Sequence, residues 1–147
     1  MQALLGKRVS FDVNVFIYAL EPSESMQTAF VTVSRLFELA ASGQIVAMTS
    51  ELSLAEALVG ADQSNPMLVT LYESFIKHRA ELTVYAVDRQ VLTKAAWLRA
   101  QQKTALADAI HVATALIHQA DFFITHDKRL QIPAEMTKLT LEQLQVL

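Results

Sequence analysis

The sequence predicts an α/β fold with a parallel sheet covered on both faces, on three observations. Strand-like apolar runs alternate with segments of helical periodicity, and parallel neighbours need crossovers of that length. The chain has 147 residues, 52% of them hydrophobic, with a mean hydropathy of +0.29, enough for a real core. Glycine and proline number three each, and no repeat, low-complexity stretch or linker breaks the pattern, so one domain over residues 1–147 is expected.

In order, residues 9–11 read as a short first strand with Asp12 at its carboxyl end, and residues 13–19 turn into a helix. After the turn Glu21-Pro22-Ser23, apolar Phe30, Val33, Leu36, Phe37, Leu39 and Ala40 recur at helical spacing until Gly43 stops them. Residues 45–49 form the second strand. Ser50 then caps a helix through Val59, closed by Gly60, with Glu56 on its inner turns. Pro66 opens a further helix to about His78. Residues 82–87 are the third strand, and Asp88 caps the helix carrying Ala95, Ala96 and Leu98. A nearly all-apolar helix covers residues 106–119, a fourth strand residues 121–125, and a last strand near residues 136–139 precedes a terminal helical turn. Parallel sheets carry their sites at the carboxyl edge of the strands, where Asp12 and Asp127 both fall.

Composition narrows the chemistry. With no cysteine, disulfides and thiolate metal sites are excluded, so a metal site must use oxygen or imidazole. A carboxylate-rich set favours magnesium or manganese over zinc. The net charge of −3 does not attract nucleic acid over long range. A nucleic-acid substrate needs local basic groups, for which Lys77-His78-Arg79, Lys94, Arg99, Lys103 and Lys128-Arg129 are candidates, although most such charges simply face solvent. No apolar run reaches the ~18 residues of a membrane span, and the first residues lack the order of a secretion signal. A cytoplasmic location without membrane association is expected. The high apolar content points to some surface covered by a second copy or another protein.

Four acidic residues carry the functional reading. Asp12, Glu56, Asp108 and Asp127 each stand where an apolar segment breaks or a helix begins. Taken singly, Asp12 is a turn or cap residue, Asp108 a carboxylate favoured by a helix dipole, Glu56 a solvent-facing helix residue and Asp127 a polar turn. Brought together, each like-charge pair at ~4 Å costs roughly 4 kcal/mol at an effective dielectric of 20, so protons or cations must collect there.

These residues sit in four local words: Phe-Asp-Val-Asn-Val-Phe-Ile, Ala-Glu-Ala-Leu-Val-Gly, Leu-Ala-Asp-Ala-Ile-His-Val-Ala-Thr-Ala, and Asp-Phe-Phe-Ile-Thr-His-Asp-Lys-Arg-Leu. In that order and over nearly the whole chain, they resemble the PIN-domain family, most closely its VapC-type toxin ribonucleases. The resemblance implies a three-layer α/β/α sandwich with a central parallel sheet. It also implies Mg2+ or Mn2+ held by Asp12, Asp108 and Asp127, with Glu56 as the fourth catalytic carboxylate. Cleavage of single-stranded RNA to a 5'-phosphate and a 3'-hydroxyl, a homodimer and a small antitoxin partner follow from the same resemblance. Two positions depart from the pattern: Val13 stands where Thr or Ser usually follows the first Asp, and His126 where Asn commonly precedes the last. The first alters a hydroxyl contact near the metal, the second substrate contacts or local titration.

Asn14 and Thr125 are expected to hydrogen-bond the carboxylates and keep them in place, although simple turn or strand-end roles compete. His111 and His118, seven apart on an apolar helix, read as packed histidines bonded to backbone rather than metal ligands. Trp97 and the phenylalanines read as core or interface. Residues around 21–27 and 60–66 are the loops expected to set RNA specificity. Two other readings remain: a PIN-like RNA- or protein-binding module with a weakened site, and an aspartate-nucleophile phosphatase suggested by Asp12-Val13-Asn14. The second lacks the acidic residue and Gly-Thr pair that chemistry needs.

Overall fold

A computed structural model describes residues 1–61 and 64–147; Asp62 and Gln63, in the expected specificity loop at 60–66, lie outside the described residues. Five parallel strands form one sheet: β1 (Arg8–Phe11), β2 (Val46–Ser50), β3 (Thr83–Tyr85), β4 (Phe122–Thr125) and β5 (Thr137–Thr140), in spatial order β3-β2-β1-β4-β5. Helices α1 (Val13–Leu20) and α2 (Gln27–Ala41), α3 (Leu52–Gly60) and α4 (Pro66–Phe75), and α5 (Arg89–Gln101) and α6 (Leu106–Ile117) separate the first four strands in pairs; β5 follows β4 without a helix, and α7 (Leu141–Gln145) ends the chain's regular structure. Short 3-10 turns at Gln2–Leu4 and Glu24–Met26 have no counterpart in the sequence reading.

Side-chain alternation sorts the core into two layers. Val9, Phe11, Ala47 and Ile124 pack with α1, α2, α3, α4 and α7, while Met48 and Phe123 point to the other face and pack with α5 and α6. The result is the expected three-layer α/β/α sandwich. Phe11, Phe16, Phe37 and Phe75 meet edge-on or tilted, with centroids 4.8 to 6.3 Å apart, so the phenylalanines expected in the core are there. Trp97 is not in the core: it is 54% exposed on α5, with the Lys94 ammonium 4.6 Å from its ring centroid.

Caps explain most boundaries. Gly43 adopts φ +69°, the left-handed geometry that ends a helix, just after α2. Pro66 starts α4 as expected, but the helix ends at Phe75 and residues 76–78 lie beyond it. Ser50 does not cap α3 directly: it ends β2, and its hydroxyl accepts from the Leu52 amide at 3.1 Å, with Glu51 at the cap position. At α5 the Asp88 carboxylate accepts from the Val91 amide at 2.9 Å. Replacing Asp88 by Ala leaves that amide without its partner and should cost about 1 kcal/mol, read as a Tm lower by ~2–4 °C in thermal denaturation.

The strand order places the site. Between β1 and β4 the winding direction of the sheet reverses, leaving a crevice at their carboxyl ends. Asp12 follows β1 directly and Asp127 stands two residues beyond β4.

Candidate active site

Asp12 is buried, 8% exposed, at the N-cap of α1, and both its carboxylate oxygens have donors. The Val13 amide donates to Oδ1 at 2.8 Å and the Thr125 hydroxyl to Oδ2 at 2.6 Å. The same Thr125 oxygen accepts from the Asp127 amide at 3.0 Å. One fully buried threonine at the end of β4 thus ties the loop carrying Asp127 to the carboxylate at the end of β1. Asp127 is exposed; its Oδ1 accepts from the Arg129 amide at 2.8 Å, closing a turn that fixes the carboxylate.

Asp108 lies in the first turn of α6 and Glu56 in α3, both half-buried. Burial raises the pKa of Asp108 first, and the negative charges of Asp12, Asp127 and Glu56 raise it further, against a lowering pull from His111. The charges of the three other carboxylates thus reach the fourth, although these residues are drawn from positions 12 to 127 of the chain.

His111, three residues beyond Asp108 on α6, is packed as the sequence predicts but has a different partner. It is buried, 3% exposed, as a packed histidine should be, but its Nε2 donates to Oε1 of Glu56 and not to backbone. An apolar helix hid this, because the partner comes from α3, 55 residues away. Burial pulls the His111 pKa down, yet the hydrogen bond to Glu56 and the charges of Asp12, Glu56 and Asp108 outweigh it and raise the pKa above 6.5. His118 differs: it stacks on Tyr85 with centroids 3.4 Å apart, its carbonyl accepts from Arg8, and burial lowers its pKa.

Asn14 is half-buried on α1 and, among the described residues, hydrogen-bonds none of the carboxylates, contrary to expectation. Both oxygens of Asp12 are already served by Val13 and Thr125. His126 is exposed and meets the Tyr18 ring edge-on, with centroids 5.3 Å apart. A groove of about 1160 Å3 along α5, lined by Arg89, Lys94, Trp97, Leu116, Ile117 and Pro133 among others, contains none of the four carboxylates.

Among the described residues no three His, Asp or Glu side chains are gathered closely enough to grip an ion as they stand. The donor set nonetheless fits a hard divalent cation. No Lys or Arg pairs with Asp12, Asp108 or Asp127 among the described residues, and Asp108 carries the repulsion of three other carboxylates that a cation would relieve.

The shifts set a pH dependence. His111 lends stability that is complete below its ordinary 6.5 and is lost as pH rises through its raised folded value. Asp108, raised above 3.8, costs stability that builds as pH rises from 3.8 through its folded value. Both slopes have one sign, so in chelator the protein should lose stability from mildly acidic to alkaline pH. Asp108→Asn should remove part of that loss, raising Tm at neutral pH by about 1–3 °C in a thermal melt. A Tm that falls on this substitution would contradict the repulsion.

The PIN domain family model matches residues 9–135. The chain belongs to the PIN domain family. Three solved structures share the fold of this PIN domain. A chain of DNA-bound VapBC from Salmonella typhimurium aligns at 18% identity and a TM-score of 0.69, covering 92% of this chain and 98% of that one. A chain of VapBC2 from Rickettsia felis, bound to a promoter DNA fragment, gives 14% and 0.68 over 90% and 98%. A chain of a toxin-antitoxin complex from Klebsiella pneumoniae gives 19% and 0.62 over 82% and 88%. No curated protein matches the sequence at a significant level. No helix among the described residues is long and apolar enough to cross a membrane.

Proposed function

We propose that residues 1–147 act as one nuclease domain: a Mg2+- or Mn2+-dependent endoribonuclease that cleaves single-stranded RNA, the VapC-type toxin of a type II toxin-antitoxin pair. What supports this reading is that Thr125 ties Asp12 and Asp127 together at the carboxyl ends of β1 and β4, while Asp108 feels the charges of Asp12, Asp127 and Glu56. The family and the toxin-antitoxin character of the structural neighbours support it. A homodimer, a small antitoxin partner and a cytoplasmic location belong to the same proposal.

Phosphodiester hydrolysis is slow because the ester's charge repels hydroxide and its leaving oxygen is poor. A divalent cation held by Asp12, Asp108 and Asp127 would lower the pKa of water and offset charge on the leaving oxygen. The chain's own groups supply position. Thr125 fixes Asp12 relative to Asp127, and His111, buried against α3, holds Glu56 toward the cluster, where its free oxygen can orient water. Asp127 is exposed, so substrate can reach it from solvent.

Purified protein should cut a mixed-sequence single-stranded RNA in Mg2+ or Mn2+ and stop on adding chelator, seen on a denaturing gel. Expression of the chain alone should arrest growth. RNA left intact while a small phosphate ester is hydrolysed would replace this reading with the phosphatase one. RNA bound but never cut would favour the binding module.

A further inference from the structure

The loop that carries Asp127 also carries the exposed His126, and its backbone is pinned at several points. Thr125 Oγ1 accepts from the Asp127 amide at 3.0 Å and Asp127 Oδ1 from the Arg129 amide at 2.8 Å. From β5, the Lys138 ammonium donates to the carbonyls of Lys128 at 2.8 Å and Leu130 at 2.6 Å. Lys128 pairs with Glu142 on α7. An exposed ring on a flexible loop loses entropy when a ligand stacks on it; this loop has already been ordered.

The ring itself is braced. Tyr18, half-buried on α1, meets the His126 imidazole at an interplanar angle of 78° and a centroid distance of 5.3 Å, an edge-to-face pair. His126 is exposed, so the ring keeps surface open to solvent. Three residues further along the same loop, Arg129 is exposed and its side chain forms no ion pair among the described residues. Thr125 links this loop to Asp12 by a single hydroxyl. An exposed imidazole and a guanidinium without an ion pair, on the loop that also carries Asp127, offer partners for the base, the phosphate and the scissile ester of a polynucleotide.

We infer that the His126 imidazole, braced by Tyr18, is a stacking platform for an unpaired RNA base beside the cleavage site. The inference rests on the ribonuclease reading and adds to it a part of the site that distinguishes single-stranded substrate. Bases in a duplex are stacked on one another, whereas single-stranded bases splay out onto aromatic side chains, histidine included. The chain's net charge of −3 gives little long-range pull on RNA, so affinity must come from short-range contacts of this kind.

The test compares a short oligouridylate with an oligomer of the same length whose bases are replaced by stable abasic spacers. Binding is read by fluorescence anisotropy in Ca2+, with cutting in Mn2+ followed separately. The wild type should bind the base-bearing oligomer about ten-fold more tightly than the abasic one. His126→Ala should abolish most of that difference without changing affinity for the abasic oligomer, and His126→Phe should retain it. Tyr18→Leu should weaken the difference in the same direction, with circular dichroism showing that each variant folds. The inference is overturned if the wild type does not distinguish the two oligomers, or if His126→Ala weakens both alike. A base preference that depends on His126 in a protein that never cuts RNA would sink the nuclease reading while the platform stands; cutting without base preference would do the reverse.

Discussion

Asp12→Asn should reduce RNA cleavage by on the order of a thousand-fold or more and leave the fold intact. Asparagine is nearly the same size and keeps an oxygen for the Val13 amide, so the N-cap of α1 survives. What it removes is one of the charges a divalent cation would bind, on the residue nearest the switch in strand order. The substitution also lightens the electrostatic load on Asp108, to which Asp12 is the leading charged contributor. The same change puts an amide nitrogen where Oδ2 accepts from Thr125, so that contact must reverse, with the amide donating to the Thr125 hydroxyl; the metal-free variant should melt within a few degrees of the wild type. Steady-state cleavage assays beside thermal melts in chelator check both halves. A variant that cuts normally, or one that loses activity only because it unfolds, would remove Asp12 from its assigned role.

Thr125→Val should produce the largest loss of stability among the site substitutions. Valine has the same shape but no hydroxyl, so Oδ2 of Asp12 loses its donor and the Asp127 amide its acceptor in one step. Asp12 is buried and its oxygen has no ready replacement, whereas Asp127 is exposed and its amide can turn to solvent. Leaving a buried polar group unpaired costs ~1–3 kcal/mol, so a loss of roughly 2 kcal/mol and a Tm lower by about 4–8 °C are expected. Divalent-metal affinity should fall ~10–100-fold, as when a hydrogen bond that orients a ligand is lost. Thr125→Ser should restore most of both. Equal melting of the valine and serine variants would show that the hydroxyl does not hold the site together.

How much of this was legible in the sequence depends on whether the cause was local. Asp88 announces α5 because an N-cap acts within three residues, and its carboxylate indeed meets Val91. Val9 and Phe11 against Ser10 mark a strand by alternation. The end of α4 at Phe75 was not legible, since residues 76–78 have no strong stop signal before Arg79 and Leu82 pair in an isolated bridge. Strand order was beyond sequence reasoning, because pairing β4 beside β1 depends on packing across 113 residues.

The site follows the same rule. Its carboxylates stood out as charges in apolar surroundings, but their partners did not. Thr125 was guessed as a support; Asn14 was guessed equally and makes no such bond among the described residues. His111 was dismissed as a backbone-bonded core residue because its own helix is apolar, and only the approach of α3 reveals Glu56. Of the core or interface places that residue type suggests for Trp97, the core is ruled out, since the residue is 54% exposed beside Lys94.

The central claim is that carboxylates far apart in the chain form one cation site. An anomalous-difference map from crystals soaked in Mn2+ tests it directly. A peak at roughly 2–2.5 Å from oxygens of Asp12 and Asp108, with Asp127 or Glu56 completing the shell directly or through water, is the predicted result. A map with no peak at the β1/β4 crevice, or with manganese bound only elsewhere, would contradict it.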